Sequence, residues 1–427
     1  VQRLIDIRVR DRVSAVCSVA VAGLADHFRL TMAGNYIRYA NDGTVPSGRP
    51  IVVAQLVNCL GLGGTERQLV EHLRQLDARY TAQLMCLFKA GAFLGDLLNL
   101  SINPEEFSLR GSLLQVNTAV QAARIARRLR ERQAQLLHCH DFYSNIVGSA
   151  AARLAGIPYI VSRRDLGLER NAARRQLLAW VTRQASHVLC NAEAVRTLVE
   201  SEGVPRERIS VVYNGLDLER FDQEAAKELT IPEAFLEDRA PTVVLAGNMQ
   251  LAVKGHLDFL AAAALVAREL PNTRFVLVGD GQLRARLEQQ ASVLGLRERV
   301  LFAGWRTDVP AILSRCTVAV SASYSEGLSN AIMEAMAARL PVVATAVGGT
   351  VELVLQERTG FLVPAGEPDR MAARVIELLR APERARSMGE AGRRRIESEF
   401  AASLLGRRMA EVYDRMLGLR RELRVAA

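Results

Sequence analysis

From Ile51 onward, short apolar runs alternate with amphipathic, arginine-rich stretches. Ile51–Cys59, Ala82–Phe88, Gln135–His140, Tyr159–Ser162, His187–Cys190 and Ile209–Tyr213 read as strands. Apolar positions at helical spacing lie between them, as in Thr65–Gln75, Leu113–Gln133 and Ala172–Gln184. Such alternation predicts parallel sheets covered on both faces. The beat breaks at 212–224, "VYNGLDLERFDQE", and at 230–241, "TIPEAFLEDRAP", which reads as a linker. It restarts at Thr242 with "TVVLAGNM", "TRFVLVGD", "RVLFAGW", "CTVAVSAS", "PVVATAV" and "GFLVPAG", each followed by a helix-like segment. The pattern predicts an α/β protein with two Rossmann-like domains, 50–225 and 226–400, and a C-terminal helix at 401–427. Ligands of open parallel sheets sit beyond the carboxyl ends of the strands, so two such sheets facing each other put the ligand in the cleft between them.

Residues 1–49 do not join the pattern and are expected to form a poorly ordered extension. Val13–Ala25, "VSAVCSVAVAGLA", imitates the apolar core of a signal peptide, but Met32 offers a later start, and the extension is preferred. No uninterrupted run of about 18 apolar residues occurs, so no spanning helix is expected. The six cysteines are scattered without a Cys-x-x-Cys pair, which fits reduced thiols and a cytoplasmic protein.

Charge changes the picture in one region. Of the net +9, a surplus of nine falls between Arg110 and Ala185, where thirteen arginines face only Glu131, Asp141, Asp165 and Glu169. Solvated helix faces are one explanation; attraction to anionic lipid headgroups or a phosphorylated substrate is the other. Aromatic residues are too sparse there for a base-stacking platform, so nucleic acid is not an expected partner.

The chemistry starts at "LVNCLGLGGTERQLVEHL", 57–74. Its glycines fail the dinucleotide spacing at Glu66 and lack the ending of a P-loop. Gly63 and Gly64 still permit a close backbone approach, at a helix start that favours an anion; a tight strand–helix turn is the plain alternative. In "SASYSEGLSNAIMEAMAARLPVVATAVGG", 321–349, a strand is expected to end near Ser323 and a helix to begin near Leu328. The N–H groups of Leu328 and Ser329 should then be unpaired donors beside Glu326 and Gly327. Glu326 and Glu334 stand eight residues apart, about 12 Å at most along a helix. They would address opposite ends of one extended ligand, since a glycosidase acid–base pair needs about 5–9.5 Å. Lys254 at another predicted helix start is a cation where an anion is wanted.

"LLHCHDFYS", 136–144, ends a strand with His138 and His140 on one face. No further ligands stand at metal-binding spacing, so no metal is expected. His140 is placed toward the cleft and His138 within the domain. Arg163, Arg164 and Asp165 close the next strand, as surface salt bridges or as acceptor-binding groups.

Taken in order, "GGTERQ" (63–68), "HCHDFYSN" (138–145), "VVYNGLDLERF" (211–221), "KGHLDFL" (254–260), "VGDGQLRARLE" (278–288), "FAGWRTDVP" (302–310) and Glu326-x7-Glu334 make a recognisable set. Over residues 51–415 the chain resembles the GT-B-fold retaining glycosyltransferases of family 4, which build bacterial polysaccharides and lipid-linked glycans. The resemblance implies two domains facing across a cleft, with C-terminal helices crossing back to the first. It implies Glu326 on donor-sugar hydroxyls, Glu334 on the ribose, Lys254 on the diphosphate, Gly63 and Gly64 facing that diphosphate, and His140 near the reacting sugar. Many members carry an arginine where this chain has Asn248, so a phosphate cation is missing or replaced by Arg306 or another group. The implied partners are a UDP- or GDP-linked sugar and a lipid-linked or oligosaccharide acceptor, with no cofactor; the arginine-rich first domain favours an acceptor at the inner membrane face. A nucleotide-sugar epimerase, a phosphorylase or a catalytically silent binding partner are the alternatives.

Overall fold

A computed structural model describes residues 50–419, apart from 112, 114, 230–234 and 236–239. The extension read at 1–49 and the end of the C-terminal segment lie outside the described residues.

In the first domain, β1 (Ile51–Val57), β2 (Tyr80–Cys86), β3 (Glu105–Glu106), β4 (Leu136–Cys139), β5 (Tyr159–Arg163), β6 (His187–Cys190) and β7 (Ile209–Val211) form one sheet. Its order is β3-β2-β1-β4-β5-β6-β7, and every pairing is parallel. The second domain holds β8 (Thr242–Ala246), β9 (Arg274–Val278), β10 (Val300–Gly304), β11 (Val318–Ser321), β12 (Val342–Thr345) and β13 (Gly360–Val363). These run β10-β9-β8-β11-β12-β13, again all parallel. In both sheets β1 or β8 is central and the order reverses beside it, which opens a crevice at the strand ends. The strands read from the apolar runs are present; β3 was not read, because Glu105 and Glu106 carry no apolar signal.

Local chemistry sets the helix that follows β4. Asp141 accepts from the Tyr143 and Ser144 N–H groups at 2.9 and 3.0 Å and, through its other oxygen, from Asn58 N–H at 2.6 Å. One carboxylate thus caps helix Phe142–Ala155 and ties it to the end of β1, which fixes His140 just ahead of it. Gly156, at φ 76°, ends that helix in the left-handed conformation.

The C-terminal segment crosses between domains. Helix Pro382–Glu399 lies on the second domain, where Arg393 donates to Ala337 O at 3.1 Å. At the crossing, Leu216 N–H donates to Phe400 O and Ala402 N–H to Leu216 O, both at 2.9 Å. Helix Ala402–Leu417 then buries Leu405, Met409 and Tyr413 against Ile51, Val53, Leu136 and Ile160 of the first domain. Each such side chain contributes about 1.5–3 kcal/mol by leaving water. Helix Leu218–Ala225, within the expected linker, touches both halves: Arg220 reaches Asp96 at 3.0 Å and Asp222 receives Arg393 at 2.7 Å.

Candidate functional site

The second-domain wall is built on the loop after β11. Its helix begins at Asn330, two residues later than expected, because Ser329 turns its hydroxyl inward as the N-cap and accepts from Ile332 N–H at 3.4 Å. Among the described residues, nothing accepts the N–H of Leu328 or Ser329. Glu326 Oε1 accepts from both Lys254 Nζ and Ser323 Oγ, each at 2.7 Å. Lys254 closes a single 3-10 turn, Ala252–Lys254, ahead of Gly255 at φ 65°. A Cβ on Gly255 would lie 1.9 Å from Ala322 O, so only glycine lets helix His256–Glu269 start against the end of β11.

The glycine loop forms the opposite wall. Gly63 caps helix Gly64–Arg74, and Gly64 O accepts from Asn330 Nδ2 at 3.3 Å. A Cβ on Gly64 would come within 3.0 Å of that same amide nitrogen, so the loop is shaped for approach by the other domain. One turn along, Arg67 forms an ion pair with the buried Glu334. Gln68 donates to Gly215 O at 2.9 Å and accepts from Gly215 N–H at 2.8 Å, fixing the crossing strand beneath. Arg67 was not singled out from the sequence, although its place one turn past Gly64 put it on the facing side of that helix.

Between these walls lies a cleft of 960 Å³, within the range of about 300–1,000 Å³ usual for ligand sites. Gly63, Gly64, Asn248, Lys254, Arg306, Glu326, Gly327, Leu328, Ser329 and Glu334 all line it, as do Arg164 and Asp165. Glu326 and Glu334 meet different cations, one from each domain. Asn248 Oδ1 accepts from Gln250 N–H at 3.3 Å. Arg306 donates twice to Asp308, at 2.7 and 2.5 Å, and that hydrogen bonding holds its pKa above the usual guanidinium range.

Two expectations change. Arg163 was read as an acceptor-binding candidate, yet it is buried and its guanidinium is committed to Glu202 at 2.5 and 3.0 Å. A fully paired guanidinium facing a helix end is a brace within the domain. His140 was expected to reach the cleft, but it lines a separate 200 Å³ cavity with Asn58, Glu66 and Arg164. Its Nε2–H donates to Gln55 Oε1 at 2.7 Å, which leaves Nδ1 as a buried lone pair without a described partner. His138 is packed inside, between Tyr413 Oη and Ser162 Oγ at 2.8 Å each. Burial, and then the neighbouring imidazoles and Arg164, hold both histidines well below the usual imidazole range.

Arg164 sits between the two cavities. Asp165 is paired with Arg170 at 2.9 Å. No helix among the described residues is long and apolar enough to cross a membrane.

The comparisons with known proteins bear on both halves. The sequence model of "Glycosyltransferase Family 4" matches residues 62–220, and that of "Glycosyl transferases group 1" matches 240–381. An Escherichia coli UDP-Gal:alpha-D-GlcNAc-diphosphoundecaprenol alpha-1,3-galactosyltransferase is 30% identical over 254 residues, 56% of this chain. The match spans 65% of that protein's own length, just under two thirds. A 2-deoxystreptamine glucosyltransferase of Streptomyces kanamyceticus is 27% identical, over 72% of this chain and 85% of its own. Among solved structures, Anabaena HepE in complex with UDP-glucose superposes with a TM-score of 0.76 at 23% identity, covering 86% of this chain and all of that one. Sucrose-phosphate synthase from Thermosynechococcus elongatus gives a TM-score of 0.72 at 21% identity, over 86% and 99%. At such identities the likeness to these two structures is one of fold.

Proposed function

Because this chain belongs to glycosyltransferase family 4, the group 1 glycosyl transferases, we propose that it moves a sugar from a UDP- or GDP-linked donor to a lipid-linked or polysaccharide acceptor, with retention at the anomeric carbon. The observation that carries this reading is one cleft holding Lys254, Glu326, Glu334 and the free N–H groups of Leu328 and Ser329. Cleavage of a sugar–phosphate bond puts charge on the departing diphosphate. Fixed donors and a cation already aimed at that charge lower the barrier without reorganising. Lys254 takes the phosphate side, Glu326 the sugar hydroxyls and Glu334 the ribose.

The acceptor hydroxyl attacks the anomeric carbon on the face from which the phosphate leaves. The carbon–phosphate-oxygen bond breaks, the new glycosidic bond forms, and the hydroxyl proton passes to a donor phosphate oxygen. The scheme uses no metal and no cofactor. The arginine-rich first domain suits an acceptor at an anionic membrane surface.

The test is a panel of nucleotide-sugars and candidate acceptors followed by mass spectrometry, with Glu326→Ala as control. A glycosylated product from the wild type alone supports the reading. Epimerised nucleotide-sugar in the absence of any acceptor replaces it.

A further inference from the structure

Of the cations lining the cleft, Arg164 has no ion-pair partner among the described residues. Arg164 donates through Nη1 to Asn214 Oδ1 at 3.2 Å, and its buried Nε has no described partner. No described carboxylate forms an ion pair with it, unlike Lys254 with Glu326, Arg67 with Glu334 and Arg163 with Glu202. Arg306 cannot stand in, because Asp308 holds it by two bonds. Burial pulls the Arg164 guanidinium down to about 10, opposed only in part by the charge of Glu66. A cation taken out of water without a counter-ion is costly, and it favours any anion that can reach it.

The anion it can reach is set by what surrounds it. Arg164 O lies 2.1 Å from where a Cβ of Gly327 would be, so this backbone packs directly on the Glu326–Gly327 loop. Asn214, which holds the guanidinium, donates through Nδ2 to Leu328 O at 3.1 Å and to Asn330 Oδ1 at 2.8 Å. The unpaired guanidinium and the unpaired N–H groups of Leu328 and Ser329 are thus tied to one turn, from opposite domains. We infer that Arg164 supplies the second positive charge for the donor's diphosphate, the charge that Asn248 leaves missing. The inference rests on the nucleotide-sugar reading above and deepens it. It also makes closure electrostatic: the diphosphate is fully neutralised only when the first domain brings Arg164 to the second.

Calorimetric titration of UDP, GDP and inorganic pyrophosphate tests this on the wild type and R164M. Loss of a charge-assisted contact is expected to weaken nucleotide diphosphate binding by roughly 10- to 100-fold. The ligand-free R164M should melt no lower than the wild type, since an uncompensated charge has been removed. N248R added to R164M should recover affinity by at least about tenfold, by supplying a cation from the other wall. If R164M does not fold, R164Q, which keeps a donor for Asn214, is read in its place.

Unchanged nucleotide diphosphate affinity in R164M overturns the inference, even if the acceptor KM rises. So does weakened binding that comes with a lower melting temperature and no recovery by N248R, the signature of a structural brace. A wild type that transfers sugar while R164M keeps its affinity removes this inference alone. A wild type that binds none of the three probes removes it together with the reading it rests on.

Discussion

Glu326 and Lys254 share one short contact: Lys254 Nζ lies 2.7 Å from Glu326 Oε1, which also accepts from Ser323 Oγ. The carboxylate therefore holds the ammonium beside the loop that follows β11, and no described hydrogen bond engages its second oxygen. Lys254→Ala is expected to lower kcat by about 100- to 1,000-fold, the usual loss for one preorganised donor. Glu326→Ala should lose as much, because it removes the sugar contact proposed above and frees the lysine to wander. Steady-state rates with the best donor of the panel check both; a Lys254→Ala enzyme within threefold or so of wild type would contradict the charge argument.

Gly327 packs directly against the first domain. A Cβ there would meet Arg164 O at 2.1 Å and Asn191 Oδ1 at 2.9 Å, and the first of these is backbone that cannot step aside. Gly327→Ala should fold but be unable to close, with transfer reduced by about 100-fold through misplacement of the reacting groups. Full activity in that variant would show that the domains do not need this contact.

A second interdomain contact is a helix cap made across the join. Glu352, from the second domain, accepts from the N–H groups of Glu193 and Ala194 at 2.8 and 2.9 Å, at the start of helix Glu193–Ser201. A carboxylate at a helix amino end contributes about 0.3–1 kcal/mol. Glu352→Ala should therefore loosen the closed arrangement, raising the radius of gyration of the ligand-free protein in X-ray scattering. UDP affinity should fall severalfold at most, and an unchanged scattering profile speaks against a latch.

His72 supplies a pH dependence. It is fully buried, with Nε2 2.9 Å from Tyr413 Oη and the charge of Arg164 nearby, and burial chiefly holds its pKa at about 3. In the unfolded chain it titrates near 6.5, so the unfolded state takes up the proton first as pH falls. Stability is complete above about pH 6.5 and is lost as pH falls from there toward 3; at pH 5 His72 alone accounts for about 2 kcal/mol. Melting curves between pH 7 and 5 should show the decline, and His72→Gln should make it shallower. Parallel curves for the two proteins would remove His72 from the account.

The basic face offers a membrane test. Leu168 and Trp180 expose 61% and 39% of their surfaces, and Arg174 and Arg175, which fall between them in sequence, are exposed as well. Sedimentation with anionic vesicles is expected at low salt and release at high salt, because exposed charges are screened within about 10 Å at 0.1 M. Replacing Arg174 and Arg175 by glutamate should abolish it; indifference of the wild type to both lipid charge and salt would end the membrane proposal.

The alternation of apolar runs and helical spacing was enough to write down every strand of both sheets except β3, since a strand buried on both faces must be apolar along its length whatever it pairs with. Gly63, Gly64 and Lys254 could be placed at turns and helix starts for the same kind of local reason, since such positions constrain the residues that build them, while Glu326 and Glu334 stood out by their spacing. Which charge meets which was not legible. Arg163 and Arg164 are neighbours in sequence, yet one is consumed by Glu202 and the other is left facing the cleft. Successive residues of a strand end point to opposite sides, and only the assembled fold says what waits on each. The pairing of Arg67 with Glu334 spans 267 positions and exists because the crossing of the chain at Leu216 and Phe400 sets one domain against the other. Local propensity carries no information about that long-range choice of partner, which electrostatics and packing make together once the two domains have met.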